Sequence, residues 1–361
     1  MKGLWTILCF ILIWCPAGAQ EFKTENVILV TFDGLRWQEV FAGADKKLLR
    51  SEKYTPNPDA VKNHFWHHDP QERRKLLMPF FWSNIATQGQ LLGNRKHGNK
   101  MNLATRHWIS YPGYNEMLSG APDPILKHNR KIHNPNVTVL EWVNQQPGFK
   151  GKVAVVGSWN LLPYIVNTER SGITVNAGNS LATGRNLTPE ELRLNEQFTQ
   201  TKPRWHSVRQ DTITFQYGMA YLERERPRLL HLAFGETDEH AHEGNYGAYL
   251  ESIYQSDAMI RQLWEWLQSQ EQYRNKTTLI IATDHGRGYL NKLSWKKHGR
   301  FWYPGSNHVW AAILGPDTPP AGEVKLRQKN YQYQIAGTIA YFLGLPFRPH
   351  QSPDSPPMAN P

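Results

Sequence analysis

Short runs of aliphatic and β-branched residues recur along this chain, and most of them stop abruptly at a carboxylate, an imidazole or a glycine. Residues 26–32 close on Asp33-Gly34, residues 228–233 lead into Gly235-Glu236-Thr237-Asp238-Glu239-His240-Ala241-His242, and residues 279–283 deliver Asp284-His285-Gly286-Arg287-Gly288. Two further runs, 152–156 and 309–314, lack that acidic ending, the second closing on Gly315-Pro316. Apolar runs without alternation read as strands buried on both faces. Between them, helical periodicity is predicted over 79–88, over 136–144 with a capped start, over 211–225, over 248–268 and over 332–343. Residues 42–75 are polar, rich in Lys, Asn, Pro and His, and predict a surface excursion. Residues 157–227 carry the weakest pattern and are expected as a substrate-side insertion. Strands alternating with helices predict an α/β fold, a mainly parallel central sheet with helices on both faces, in one domain over 20–361 with no internal repeat.

The first nineteen residues change that picture at one end. Lys2, an apolar run from Leu4 to Cys15 and Ala17-Gly18-Ala19 before Gln20 have the form of a secretory signal peptide, with an apolar core too short for a stable membrane span. The protein is therefore expected to be secreted or periplasmic, without a transmembrane anchor once the leader is cut. Both cysteines, Cys9 and Cys15, fall inside the leader, so a metal in the mature chain must be held by His, Asp or Glu. The formal charge is +10 at pH 7 and loses one unit with Lys2. A basic surface outside the cytoplasm suits anionic substrates or envelope polymers, as well as ordinary solubility. Clusters such as Arg73-Arg74-Lys75 are too short and scattered for a nucleic-acid platform. With 40% hydrophobic residues, 14 Trp, 15 Tyr and 14 Phe, the chain has ample material for a core and is not disordered.

Three predicted strands thus end in metal-ligand chemistry: Asp33, Asp238 with His242, and Asp284 with His285. Loops at the carboxyl edge of a parallel sheet converge, and there ligands and reacting groups collect. Asp238 and His242 are four residues apart, which puts both on one face if a helical turn follows the strand. Carboxylates and imidazoles without a thiol suit two zinc or manganese ions.

These pieces together resemble the alkaline phosphatase superfamily, most closely its type I phosphodiesterase/nucleotide pyrophosphatase branch. The resemblance is carried by Asp33 after the first strand, Ser110-Tyr111-Pro112 followed by Ser119-Gly120, the Asp238/His242 pair, Thr283-Asp284-His285-Gly286, and His298-Gly299 before the 309–316 segment, in the family's order. It implies one metal held by Asp238, His242 and His298, and another held by Asp33, Asp284, His285 and the nucleophile Ser110. His298 is preferred over the nearby His308 because Gly299 follows it, which leaves His240 and His308 as bystanders. Asn129 is the match to the family's phosphate-contacting asparagine. The resemblance further implies hydrolysis of phosphate mono- or diesters of a small anionic substrate through a phosphoseryl intermediate.

Two departures bear on the substrate. The branch usually places Thr at the nucleophile, and Ser here leaves the mono- versus diester choice open. Sulfatases follow their Ser or Cys with x-Pro-x-Arg, and Tyr114 stands where that Arg belongs. A sulfatase or phosphomutase of the same superfamily, and a catalytically degenerate, metal-stabilised envelope binding protein, are the alternatives.

Overall fold

Among the described residues eleven strands, β1 (Asn26–Phe32), β2 (Gln90–Leu92), β3 (Lys100–Asn102), β4 (Val153–Gly157), β5 (Thr174–Ala177), β6 (Leu229–Phe234), β7 (Thr277–Thr283), β8 (His308–Val309), β9 (Ala311–Leu314), β10 (Gly322–Glu323) and β11 (Lys329–Tyr331), form two sheets. This computed structural model describes residues 22–349 and 357–358, so the leader predicted over 1–19 lies outside the described residues. Among those residues no helix is long and apolar enough to cross a membrane.

The large sheet runs β10-β2-β9-β7-β1-β6-β4-β5, and β9 alone opposes the direction shared by the other seven. The second sheet, β11-β3-β8, is small. Every residue of β1, β6 and β7 is buried, as their continuous apolar runs require. Along β1, Ile28, Val30 and Phe32 join one core and Val27 and Leu29 the other, so the sheet has a packed layer on each face. The helix Tyr246–Ser269 covers the first face; the helices Ser110–Ser119, Val139–Asn144 and Gln334–Phe342 cover the second.

The register sets up the functional edge. Phe32 pairs with Phe234 on one side and with Thr283 on the other, so β1, β6 and β7 end level. Whatever follows these three residues emerges at one edge, at the centre of the sheet.

Other expectations needed adjustment. The run over 309–314 is two strands: His308–Val309 pairs with β3, and after the buried Trp310 the chain enters the large sheet as β9, antiparallel to β7. The 42–75 excursion contains three short helices, Lys46–Leu49, Pro58–Phe65 and Pro70–Leu77, the first and third capped by Asp45 and Asp69. The helix predicted over 79–88 is wound as a π-helix at Phe81–Ile85. Its start is pinned by Asp257 of the long helix, whose carboxylate accepts from Phe80 N at 2.7 Å and Phe81 N at 2.9 Å. The 157–227 stretch supplies the edge strand β5 and the helix Asp211–Glu225 on the first face.

Candidate active site

Ser110 opens the helix Ser110–Ser119, all ten residues of which are buried. Pro112 is tolerated because the first turn leaves its N–H groups without helical partners. Gly113 is required for a different reason: a Cβ there would lie 2.4 Å from the carbonyl oxygen of Asp284, so the helix could not approach the tip of β7 with any larger residue. Gln332 fastens the same junction, its amide donating to Gly113 O at 3.0 Å and to Asp284 O at 2.9 Å. Ser110 Oγ consequently sits 3.4 Å from Asp33 Oδ1 and 3.3 Å from His285 Nε2.

The tips of β1 and β7 interlock. Asp284 Oδ1 accepts from Gly34 N at 2.9 Å and His285 N at 2.7 Å. Gly34 has φ +65°, and a Cβ on it would run into Arg287, Asp238 and His285, so only glycine lets the backbone turn there. His285 Nδ1 donates to Gly286 O at 2.9 Å, which leaves Nε2 directed at Asp33 Oδ1, 3.2 Å away. Asp284 Oδ2 is fully buried, accepts no hydrogen bond and lies 3.7 Å from His285 Nε2.

Asp238 and His242 follow β6 on the short helix Glu236–Glu243, as the four-residue spacing predicts, with His242 Nε2 3.0 Å from Asp238 Oδ2. The buried carboxylate of Asp211 places this helix by accepting from Gly235 N at 2.7 Å and Glu236 N at 3.0 Å. His298 reaches in from the loop after β7: its Nε2 is 3.0 Å from His242 Nε2 and 3.6 Å from Asp238 Oδ1, while its Nδ1 donates to Trp108 O at 3.3 Å. The His285 and His298 rings stack with centroids 3.9 Å apart.

Two groups capable of holding a cation result, Asp33 with Asp284 and His285, and Asp238 with His285 and His298, the ligand atoms within each lying within 4.8 Å of one another. His285 is common to both, and His242 borders the second through Asp238 and His298. His308 joins neither group; its ring stacks on Tyr289 at 5.9 Å. His240 turns toward Glu243 and Trp205. Asn129 Oδ1 accepts from Tyr111 N at 3.0 Å, which puts this exposed side chain beside Ser110.

The electrostatics show how strongly the site demands positive charge. Burial and the neighbouring carboxylates raise Asp33 and carry Asp284 well above the usual range. Burial alone would lower His285, but the Asp284 and Asp33 carboxylates outweigh it and push the imidazole up to about 9. Burial likewise disfavours ionised Asp238, yet the Arg287 guanidinium and the flanking imidazoles hold its carboxyl well below the usual range. Crowded carboxylates, imidazole Nε2 atoms turned toward them and the orphaned Asp284 Oδ2 fit a pair of divalent cations.

Sequence reasoning missed two positioning residues, Asp211 and Arg287. The only sequence signal for Arg287 is its place between two glycines directly after Asp284-His285. It is 1% exposed, pairs with Asp238 Oδ1 and donates to Trp295 O at 2.6 Å and Lys296 O at 2.7 Å. Arg287→Met should therefore cost about 3–5 kcal/mol in urea-induced unfolding, because it strands a buried carboxylate and two carbonyls. Arg287→Lys should recover only part of that loss, having no fork to serve three acceptors. A loss below about 1 kcal/mol in the Met variant would mean the pair is not structural.

Comparison with known proteins identifies the family and the fold. The sequence model of the type I phosphodiesterase / nucleotide pyrophosphatase family matches residues 61–298, more than half of the chain. No curated protein matches the sequence. Among solved structures, the phosphonate monoester hydrolase SpPMH from Silicibacter pomeroyi is similar at 12% identity, covering 93% of this chain and 76% of that one with a TM-score of 0.56. BT1596, a 2-O GAG sulfatase, is similar at 13% identity, 91% and 72% coverage and a TM-score of 0.54. The lipoteichoic acid synthase LtaP from Listeria monocytogenes is similar at 9% identity, 89% and 72% coverage and a TM-score of 0.53. At these identities the likeness establishes the shared fold, and with the family match in hand the chain belongs to the type I phosphodiesterase / nucleotide pyrophosphatase family of the alkaline phosphatase superfamily.

Proposed function

We propose that the protein is a metal-dependent phosphoric ester hydrolase in which Ser110 is the nucleophile, acting outside the cytoplasm as its leader suggests. The observation that carries this reading is the placement of Ser110 Oγ 3.3–3.4 Å from His285 and Asp33, in front of two acid–imidazole groups. Asp238, His242 and His298 would hold one divalent ion, and Asp33, Asp284, His285 and Ser110 the other, zinc or manganese. When bound, such ions acidify the serine hydroxyl and neutralise charge on the attacking and leaving oxygens.

The chain's own residues supply the rest. Ser110 sits at the first position of its helix, where the partial positive charge of the N-terminus favours an alkoxide and a phosphate oxygen. Its Oγ attacks phosphorus, the alcohol departs, and the phosphoseryl ester is then cleaved by water, which restores the hydroxyl. Asn129 is held by its Oδ1 at Tyr111 N, which leaves its amide nitrogen to donate to a phosphate oxygen.

Sulfate ester chemistry is disfavoured by Tyr114. Its side chain is buried, with its hydroxyl 3.2 Å from Thr31 Oγ1, and it fills the place of the arginine in the sulfatase motif. Aryl phosphodiester, phosphomonoester and sulfate ester offered side by side with added zinc or manganese should separate the readings. Phosphate esters are expected to be cut and the sulfate far more slowly. A sulfate ester hydrolysed fastest would overturn the substrate class, and no turnover of any ester by metal-loaded protein would favour a binding role.

A further inference from the structure

The loop that brings His298 into the site carries a surface unlike the rest of the molecule. Between His285 and Pro316 the sequence contains no acidic residue and five basic ones, Arg287, Lys292, Lys296, Lys297 and Arg300. Arg287 is committed to Asp238, whereas Lys292, Lys297 and Arg300 are exposed and Lys296 is half-buried. On the same loop Leu290, Leu293, Phe301 and Trp302 are 64, 60, 64 and 62% exposed. With Tyr289 they make up half of the ten large apolar side chains exposed among the described residues. Such a concentration marks an interaction surface, whereas single exposed apolar residues need no explanation.

The loop holds these side chains on anchored backbone. Gly286 N donates to Ser306 O at 2.8 Å, Gly288 N to Lys297 O at 2.9 Å and Tyr289 N to Pro304 O at 3.3 Å, so its two arms run together. Trp295, 1% exposed, roots the loop among Tyr54, Tyr246 and Tyr249. Trp108 N donates to Gly299 O at 2.7 Å and ties the loop to the segment entering Ser110.

Cations alone would suit any polyanion. Leu290 and Leu293, however, offer neither a hydrogen bond nor a ring face to a sugar, while aliphatic and aromatic side chains set among Lys and Arg match the boundary of a bilayer with negative headgroups. We propose that residues 289–302 dock on an anionic lipid surface. Leu290, Leu293, Phe301 and Trp302 enter the boundary between headgroups and acyl chains, and Lys292, Lys297 and Arg300 meet the headgroup phosphates. Because the surface exists whether or not an ester is cut, its test reads binding.

The whole protein is spun down with vesicles of phosphatidylglycerol and phosphatidylcholine in equal parts, with pure phosphatidylcholine vesicles and with soluble sulfated dextran as competitor. Co-sedimentation with the anionic vesicles, a blue shift of tryptophan emission and weaker binding to neutral vesicles are expected. The triple substitution Leu290→Ser, Phe301→Ser, Trp302→Ser should lower vesicle affinity at least tenfold with an unchanged circular dichroism spectrum. The exposed pair Lys292→Glu, Lys297→Glu, which removes no packing, should lower it roughly tenfold or more. Wild-type protein that stays in the supernatant, or variants that bind as well as wild type, would overturn the proposal. So would tight binding of sulfated dextran lost in these variants with no vesicle binding, which would assign the loop to a polysaccharide.

Discussion

Replacing Ser110 with alanine is expected to abolish turnover while leaving the fold and the six other ligand side chains in place. Its hydroxyl makes only long contacts, 3.4 Å to Asp33 and 3.3 Å to His285, so little structure hangs on it. Alanine also suits the first turn of a helix. Stability should therefore change by no more than about 1 kcal/mol. The rate should fall by several orders of magnitude, beyond the roughly 10²–10⁴-fold associated with a single general acid or base, because nucleophile and ligand disappear together. Ser110→Thr keeps the hydroxyl and should retain measurable hydrolysis. The added methyl enters a site only 3% exposed and is expected to slow the reaction by crowding. The comparison needs a substrate with a good leaving group and protein of verified metal content. Retention of more than about a tenth of wild-type turnover by the alanine variant, under roughly 1.4 kcal/mol in the barrier, would remove Ser110 from the role of nucleophile.

How much of this site can be read from the chain depends on where each residue sits. Asp33, Asp238, Asp284 and His285 follow strands buried on both faces, and such strands announce themselves as unbroken apolar runs whose ends are easy to mark. The parallel sheet then brings those ends together without further information. Direction and continuity are a different matter. An apolar run over 309–314 reads the same whether the strand is parallel or antiparallel, and nothing local marks the break at Trp310, because the partners that split it lie on β3 and β7. The start of the helix at Phe81–Ile85 is likewise fixed from a distance: the N–H groups of Phe80 and Phe81 are taken by Asp257, far along the sequence. Asp211 and Arg287 are invisible for a related reason. Each acts on a helix or carboxylate supplied by another segment, and neither a single Asp opening a helix nor a single Arg in a loop has a period or spacing that marks its distant partner.

Removing divalent metal with a chelator should abolish hydrolysis and lower the unfolding temperature by several degrees, with both restored by zinc or manganese. The reason lies in the charge the fold has gathered. Asp33 and Asp284 are buried beside each other, Asp284 Oδ2 accepts no hydrogen bond, and His285 is pushed up to about 9 by those carboxylates. Without a divalent ion, protons must take up that demand. Binding a cation must therefore displace protons from groups whose affinity for them is raised, so the apparent metal affinity should fall steadily as the pH drops from about 9. The sign distinguishes this centre from a surface site of ordinary carboxylates, whose affinity would be flat until the pH nears about 4. Metal present at a hundred times its dissociation constant stabilises the fold by about 2.7 kcal/mol, enough to read in a thermal melt. Titrating zinc into chelated protein at several pH values, by calorimetry and by melting temperature, measures both quantities. Full activity in excess chelator after long incubation would remove metal from the reaction, and a pH-independent affinity would mean that the ion binds outside the Asp33–Asp284–His285 cluster.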